Sequence, residues 1–150
     1  LYATKGEVPD GELVDELGKA KVLRKGDDVT IVALAAMVPR AMAAADRLQQ
    51  EDGVSATVVD VRSLVPLDTQ TIFKEVEHTG RLVTVEENPR LCGWGAEISS
   101  IVAEEMFYDL DGPIIRITSP HCPIPSADDL EDQYLPTPER IVETIRREVD

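Results

Sequence analysis

The chain has 150 residues, with 29 Asp and Glu against 15 Lys and Arg, a formal charge of −14. That length suits one domain burying about 68–70% of the surface its unfolded chain exposes, and 43% hydrophobic residues is too many for a disordered acidic tail. The charge makes nucleic acid a poor partner, because phosphate binding relies on Lys and Arg, and no apolar run approaches the ~20 residues of a membrane helix.

Residues 1–20 are polar, with Gly6, Pro9, Gly11 and Gly18, and read as an N-terminal arm or linker to a domain at 21–150. The opening Leu1-Tyr2 carries no initiator Met, signal-peptide core or transit-like stretch, so a piece of a longer polypeptide is expected. Lys21–Arg24 reads as a short strand, and the run VTIVAL (29–34) as a strand covered on both faces. Pro39 suits a first helical turn; Met42, Ala45 and Leu48 follow at helical spacing, and Gly53 ends the element. Residues 54–61 read as a second core strand.

Asp68 is placed to cap a helix whose stripe is Ile72, Phe73 and Val76 and whose stop is Gly80. A strand follows at 82–85, then a helix from about Gly95 carrying Ile98, Ile101, Val102 and Met106, then a strand at 114–117. After Pro120, Pro123 and Pro125 come a short acidic helix near 126–132 and a last helix with Thr137 as cap, Pro138 first, and Ile141, Val142, Ile145 and Val149. Strand–helix alternation of this kind predicts a three-layer α/β/α sandwich around a mostly parallel sheet of about five strands, with residues 21–24 as an antiparallel edge.

Candidate chemistry is sparse. The turn at Gly93–Glu97 runs from a strand into a helix and presents backbone N–H groups that suit an anion. Gly-x-Gly-x-x-Gly would need glycine at 98, where Ile98 stands, and a structural turn is the stronger reading. Cys92, His121 and Cys122 lack the paired spacing of a zinc site, and neighbouring His and Cys rarely orient as base and thiol. Two cysteines are too few for a disulfide scaffold and suit a reducing compartment. His78 is placed to meet the last carbonyls of its helix. Of the acidic pairs, Glu86-Glu87 is the most interesting, lying just past a strand end where α/β sheets place ligands. No catalytic, cofactor-binding or metal-binding residue emerges from the residues themselves.

The charge is uneven. Residues 104–150 hold twelve acids and four bases, −8 of the total. A solvated acidic face is the ordinary explanation, and a docking surface for a basic partner the sharper one.

Taken in order, GKAKVLRKGDDVTIVAL (18–34), VVDVRSLVPLDTQTI (58–72), VTVEENPRLCGWGAEI (83–98) and the segment 114–141 resemble the transketolase C-terminal domain. They look most like its version in β subunits of the thiamine-diphosphate-dependent first component of 2-oxo acid dehydrogenase complexes. The combination of D-V-R-S-L-x-P-L-D (60–68), E-x-x-x-x-x-G-x-G-A-E-I (87–98) and L-P-T-P-E-R-I (135–141) carries the likeness. The resemblance implies an assembly domain, inactive alone, from an enzyme of oxidative decarboxylation that transfers an acyl group to lipoyl. Thiamine diphosphate and Mg would then be held by the missing N-terminal half and the α subunit.

The implied partners are a second β subunit and α subunits in an α2β2 heterotetramer, and the basic peripheral subunit-binding domain of the dihydrolipoyl acyltransferase. The implied setting is a bacterial cytoplasm or an organelle matrix. On this basis Glu104, Glu105, Asp109 and Asp111, with the C-terminal helix, are expected to dock the acyltransferase. Pro89, Arg90, Trp94, Glu97, His121 and Pro123 are expected at a domain or subunit interface. Another thiamine enzyme, such as transketolase or deoxyxylulose-phosphate synthase, is the first alternative; a stand-alone anion-binding module using Gly93–Glu97 is the second.

Overall fold

The structure is a computed structural model that describes residues 5–7 and 10–149; residues 1–4, 8 and 9 of the expected arm, and Asp150, lie outside the described residues. Five strands, β1 (Lys21–Arg24), β2 (Val29–Ala33), β3 (Ala56–Asp60), β4 (Leu82–Pro89) and β5 (Ile115–Ser119), form one sheet in the order β1-β3-β2-β4-β5. All neighbours are parallel except β1, which runs antiparallel to β3. The helices are α1 (Met37–Glu51), α2 (Thr69–Thr79), α3 (Trp94–Glu105), α4 (Asp128–Tyr134) and α5 (Pro138–Val149), with a 3-10 turn at Phe107–Asp109.

The three expected layers follow from the period of two along each strand. Val29, Ile31 and Ala33 of β2 point to one face, where α1 and α5 bring Ala41, Leu48, Ile141 and Ile145. Val32 points to the other, where α2 and α3 bring Ile72, Val76, Ile98 and Val102. Burying both faces is why VTIVAL shows no polar alternation. Its one hydroxyl, Thr30 Oγ1, is fully buried and satisfied by the Glu75 carbonyl at 2.9 Å and Thr79 Oγ1 at 2.8 Å.

The expected stops and starts hold. Asp68 accepts from Thr71 N at 3.2 Å and also from Ala20 N at 3.1 Å, so the cap of α2 ties down the start of the domain. Gly80 ends α2 in the left-handed conformation, φ 66°. In the turn between β1 and β2, Gly26 leaves no space: a Cβ there would stand 2.4 Å from the Ala56 carbonyl carbon.

β3 is shorter than the expected 54–61 and β5 runs on past the expected 117 to Ser119, and three further features differ from expectation. β4 continues to Pro89, pairing again with Ser119 after an irregularity; the polar stretch Glu86–Asn88 concealed a strand whose next inward residue is a charged one. The acidic helix lies at Asp128–Tyr134 rather than 126–132, because Tyr134 is the residue that anchors it, donating its hydroxyl to the Pro120 carbonyl at 3.0 Å. The 3-10 turn after α3 is too short to show a period.

Candidate functional site

The carboxyl ends of the strands carry the densest polar geometry. Glu86 on β4 is fully buried while Glu87 is exposed, as alternation along a strand requires. The Glu86 carboxylate receives Arg116 Nε at 2.8 Å on one oxygen and Arg116 Nη2 at 2.9 Å on the other. Asn88 Nδ2 at 3.0 Å, Gly95 N at 3.0 Å and the Thr84 hydroxyl at 3.1 Å complete the set. The Gly95 N–H belongs to the first turn of α3, so the position expected for an outside anion is taken by this chain's own carboxylate. Glycine is required for that approach: a Cβ at Gly93 would lie 2.3 Å from Glu86 Oε2, and one at Gly95 2.2 Å from Oε1.

Burial works to raise the pKa of Glu86, but the Arg116 fork, Asn88 and the Gly95 N–H more than offset it and hold the carboxyl below its usual range. Asp68 behaves alike, with burial opposed by its bonds to Thr71 and Ala20. A carboxyl whose folded pKa is depressed stabilises the fold above its unfolded value and loses that contribution as pH falls through the folded one. Stability should therefore be level from neutral pH to about pH 4 and decline below it. Urea midpoints across this range check the sign, and Glu86→Gln should flatten the decline.

At the same end, β2 hands the chain to α1 on one face while β4 hands it to α3 on the other. Diverging connections leave a crevice, the place where open α/β sheets receive ligands and neighbours. Here it is an open concavity of about 390 Å³, walled by Leu34 and Ala35 after β2, Glu87, Pro89 and Trp94 from the β4–α3 segment, and Ile124 from the loop after β5. Trp94 is half-buried: it packs on the α2/α3 core and also lines the crevice. Ala35, Arg62 and Cys92 have φ of 51°, 60° and 58°, so the connections after β2, β3 and β4 each hold a non-glycine residue in the left-handed region. Leu64, Val65, Leu91 and Ile124 are exposed around this end, Val65 to 93%.

The six expected interface residues all lie here. Pro89 and Trp94 share the crevice; the Arg90 carbonyl accepts Arg116 Nη2 at 3.0 Å. Glu97 is exposed in the first turn of α3, and His121 and Pro123 are exposed in the loop that carries Ile124.

The expected docking acids lie elsewhere. α3 runs back along the sheet, so its last turn is about 17 Å from its first. Glu104 and Glu105 end α3, and Asp109 and Asp111 follow, all exposed and, among the described residues, in no ion pair. Other acids of the same third are already neutralised: Asp132 pairs with Arg40 at 2.9 Å and Glu139 with Arg47 at 2.7 Å. Asp111 differs from its neighbours, because its N–H donates to the Gly80 carbonyl at 2.8 Å and its side chain lies against Gly80. The C-terminal helix lies mostly apart from these four acids. It packs on α1, with Arg146 on Glu51 and Asp52, and only its last turn reaches Gly112 and Pro113.

Among the acids sit Phe107 and Tyr108, packed edge to face with centroids 5.4 Å apart and exposed to 65% and 97%. The family model "Transketolase, C-terminal domain" matches residues 18–141. The chain belongs to this family.

It is 49% identical over 142 residues to the acetoin:2,6-dichlorophenolindophenol oxidoreductase subunit beta of Bacillus subtilis, covering 94% of this chain and 41% of that protein. To the pyruvate dehydrogenase E1 component subunit beta of Leifsonia xyli it is 42% identical, covering 97% of this chain and 43% of that protein. Among solved structures it resembles a split-gene transketolase described as an inactive beta4 tetramer, with TM-score 0.79 and 30% identity over 96% of this chain and 45% of that one. The chain thus spans about two-fifths of the length of these curated relatives.

Several features of this transketolase C-terminal domain escaped sequence reasoning. Arg116, thirty residues from Glu86, gives no local sign of the pairing. Phe107 and Tyr108 read as ordinary apolar residues at a helix end. His78 turns to Asp27, Nε2 to Oδ1 at 2.7 Å, rather than to its helix carbonyls; the β1–β2 turn brings a full charge within reach. Cys92 and Cys122 are exposed, and among the described residues no three His, Cys, Asp or Glu side chains are grouped to hold a metal.

Proposed function

We propose that this domain is the C-terminal part of the β subunit of a 2-oxo acid dehydrogenase, and that it acts by association. What carries the reading is the identity to two-component enzyme β subunits along nearly the whole chain, 42–49% over at least 94% of its length. In it, the crevice end meets a neighbouring domain or subunit of an α2β2 heterotetramer, through Pro89, Trp94 and the loop at 120–125. The exposed apolar residues and the strained turns gathered there support this. The acidic end of α3 receives the basic subunit-binding domain of the acyltransferase. Four acids that are in no ion pair among the described residues, beside two exposed aromatic rings, support that surface. The exposed free thiols are in keeping with a reducing compartment, a bacterial cytoplasm or an organelle matrix.

Thiamine diphosphate with Mg would supply the carbanion chemistry of such an enzyme. The residues of this chain do not fit it. Among the described residues, the helix start at Gly93–Glu97 that suited an anion holds the Glu86 carboxylate, which would repel a diphosphate.

A second reading has the parent enzyme act on acetoin, favoured by the 49% identity to the Bacillus subtilis acetoin enzyme. The test is reduction of 2,6-dichlorophenolindophenol by the parent β subunit with its α partner, thiamine diphosphate and Mg. Turnover with a 2-oxo acid such as pyruvate is the expected result. Turnover with acetoin alone selects the second reading, and none with either contradicts both.

A further inference from the structure

We propose that the Glu86 carboxylate is a built-in anionic ligand for the N-terminus of α3, and that with Arg116 it is a positioning pair that sets how the Pro89–Trp94 turn is presented. The proposal concerns the pose of the turn; only its consequence for assembly rests on the reading of the crevice as an interface.

Besides the pairing of Pro89 with β5 and the packing of Trp94, the polar side chains that hold the turn converge on this one carboxylate. Arg116 holds both Glu86 oxygens and spends its remaining reach on the Arg90 carbonyl, Nη2 to O at 3.0 Å. Asn88 Nδ2 lies 3.0 Å from Glu86 Oε2 and 2.9 Å from the Pro89 carbonyl. The Gly95 N–H binds Glu86 on the helix side. Two carbonyls of the turn are therefore held by groups that Glu86 holds in place, and the helix start is held by Glu86 itself. A bidentate fork fixes direction as well as distance, which a single Lys charge would not.

The fit is also exclusive. Glu86 is fully buried, so its carboxylate has no water as a substitute partner, and Arg116 is only 10% exposed. Gly93 and Gly95 are glycine because any Cβ would occupy the carboxylate's space, 2.3 Å and 2.2 Å from its oxygens. The cradle is thus carboxylate-sized, with a guanidinium, an amide, a hydroxyl and a backbone N–H converging on it. An outside phosphate is shut out, which disposes of an anion-binding module at Gly93–Glu97. Cutting the side chain back should leave a vacancy of defined shape and charge, which the smallest carboxylate, formate, can refill.

The test uses this chain, since Trp94 is its one tryptophan and reports the turn by its emission. In Glu86→Ala, the Trp94 emission should shift and exchange of the Gly95 amide should speed up about tenfold or more. Sodium formate should reverse both changes, and sodium chloride at equal ionic strength should not. Glu86→Gln fills the space but presents an NH2 group to a donor, so its turn should loosen and formate should not rescue it. If Glu86→Ala is unfolded, recovery of folding by formate and not by chloride is the same result.

The proposal is overturned if Glu86→Ala keeps the wild-type emission and amide protection, or if formate does no more than chloride. In the parent enzyme, a turn that moves without any change in subunit assembly refutes the interface reading and leaves the positioning pair standing.

Discussion

Alanine at Gly95 should destabilise the domain by about 3–5 kcal/mol, while alanine at Gly53 should cost about 1 kcal/mol. The two glycines fail for opposite reasons. Gly53 has φ 73° and nothing within 4 Å of where a Cβ would be, so its cost is only that of a side chain in the left-handed region. Gly95 stands at the start of a helix, where its backbone suits any residue. Its Cβ would meet Glu86 Oε1 at 2.2 Å, Glu86 Cδ at 2.5 Å and Thr84 Oγ1 at 2.6 Å. None of these is the free end of a flexible chain, since Glu86 is clamped by Arg116. Either the helix start moves or the buried ion pair breaks, and a buried charge left without its partner is what makes the loss large. Urea denaturation of the two variants measures the difference. Equal losses would mean that the glycines serve only backbone conformation.

Charge reversal at the end of α3 should be the largest change a surface substitution can make to association. Glu104→Lys with Glu105→Lys is expected to weaken binding of a basic subunit-binding domain to the parent enzyme by about 10–100-fold, or about 1.4–2.7 kcal/mol. Both side chains are exposed and free of ion pairs among the described residues, so the fold should tolerate the change. Asp111 is the wrong place for the experiment. Its contact with Gly80 at the end of α2 would mix a loss of stability with a loss of docking. Tyr108→Ala is a useful companion, because the ring is 97% exposed and contributes little to the core; loss of affinity there would mark it as an anchor for a cationic side chain.

Most of the fold was legible in the sequence because its signals are local. VTIVAL, the Asp68 cap, the Gly80 stop and the Thr137-Pro138 start each depend on a few adjacent residues and the periodicity around them. The site was legible only in part. A carboxylate at 86 and glycines at 93 and 95 were visible, and so was the anion-binding character of the turn. Which of Glu86 and Glu87 turns inward depends on how far β4 continues, and that depends on pairing with β5. That Arg116 would answer Glu86 depends on the same pairing. Charge along the chain misleads in the same way: Asp132 and Glu139 add to the acidic third in sequence, yet arginines of α1 offset them in space. Among the described residues of that third, Asp128, Asp129, Glu131, Glu143 and Glu148 are also in no ion pair, and what sets the end of α3 apart is the pair of exposed rings beside its four acids.

The claim that this domain works by association, through charge concentrated at one end of α3, is tested most directly by a titration. The subunit-binding domain of the acyltransferase is added to the parent enzyme at low salt and near 1 M, where the screening length falls from about 10 Å at 0.1 M to about 3 Å. Wild-type affinity should fall steeply with salt, and the Glu104→Lys, Glu105→Lys enzyme should bind weakly at both. An affinity that is the same for both enzymes and indifferent to salt would contradict the account.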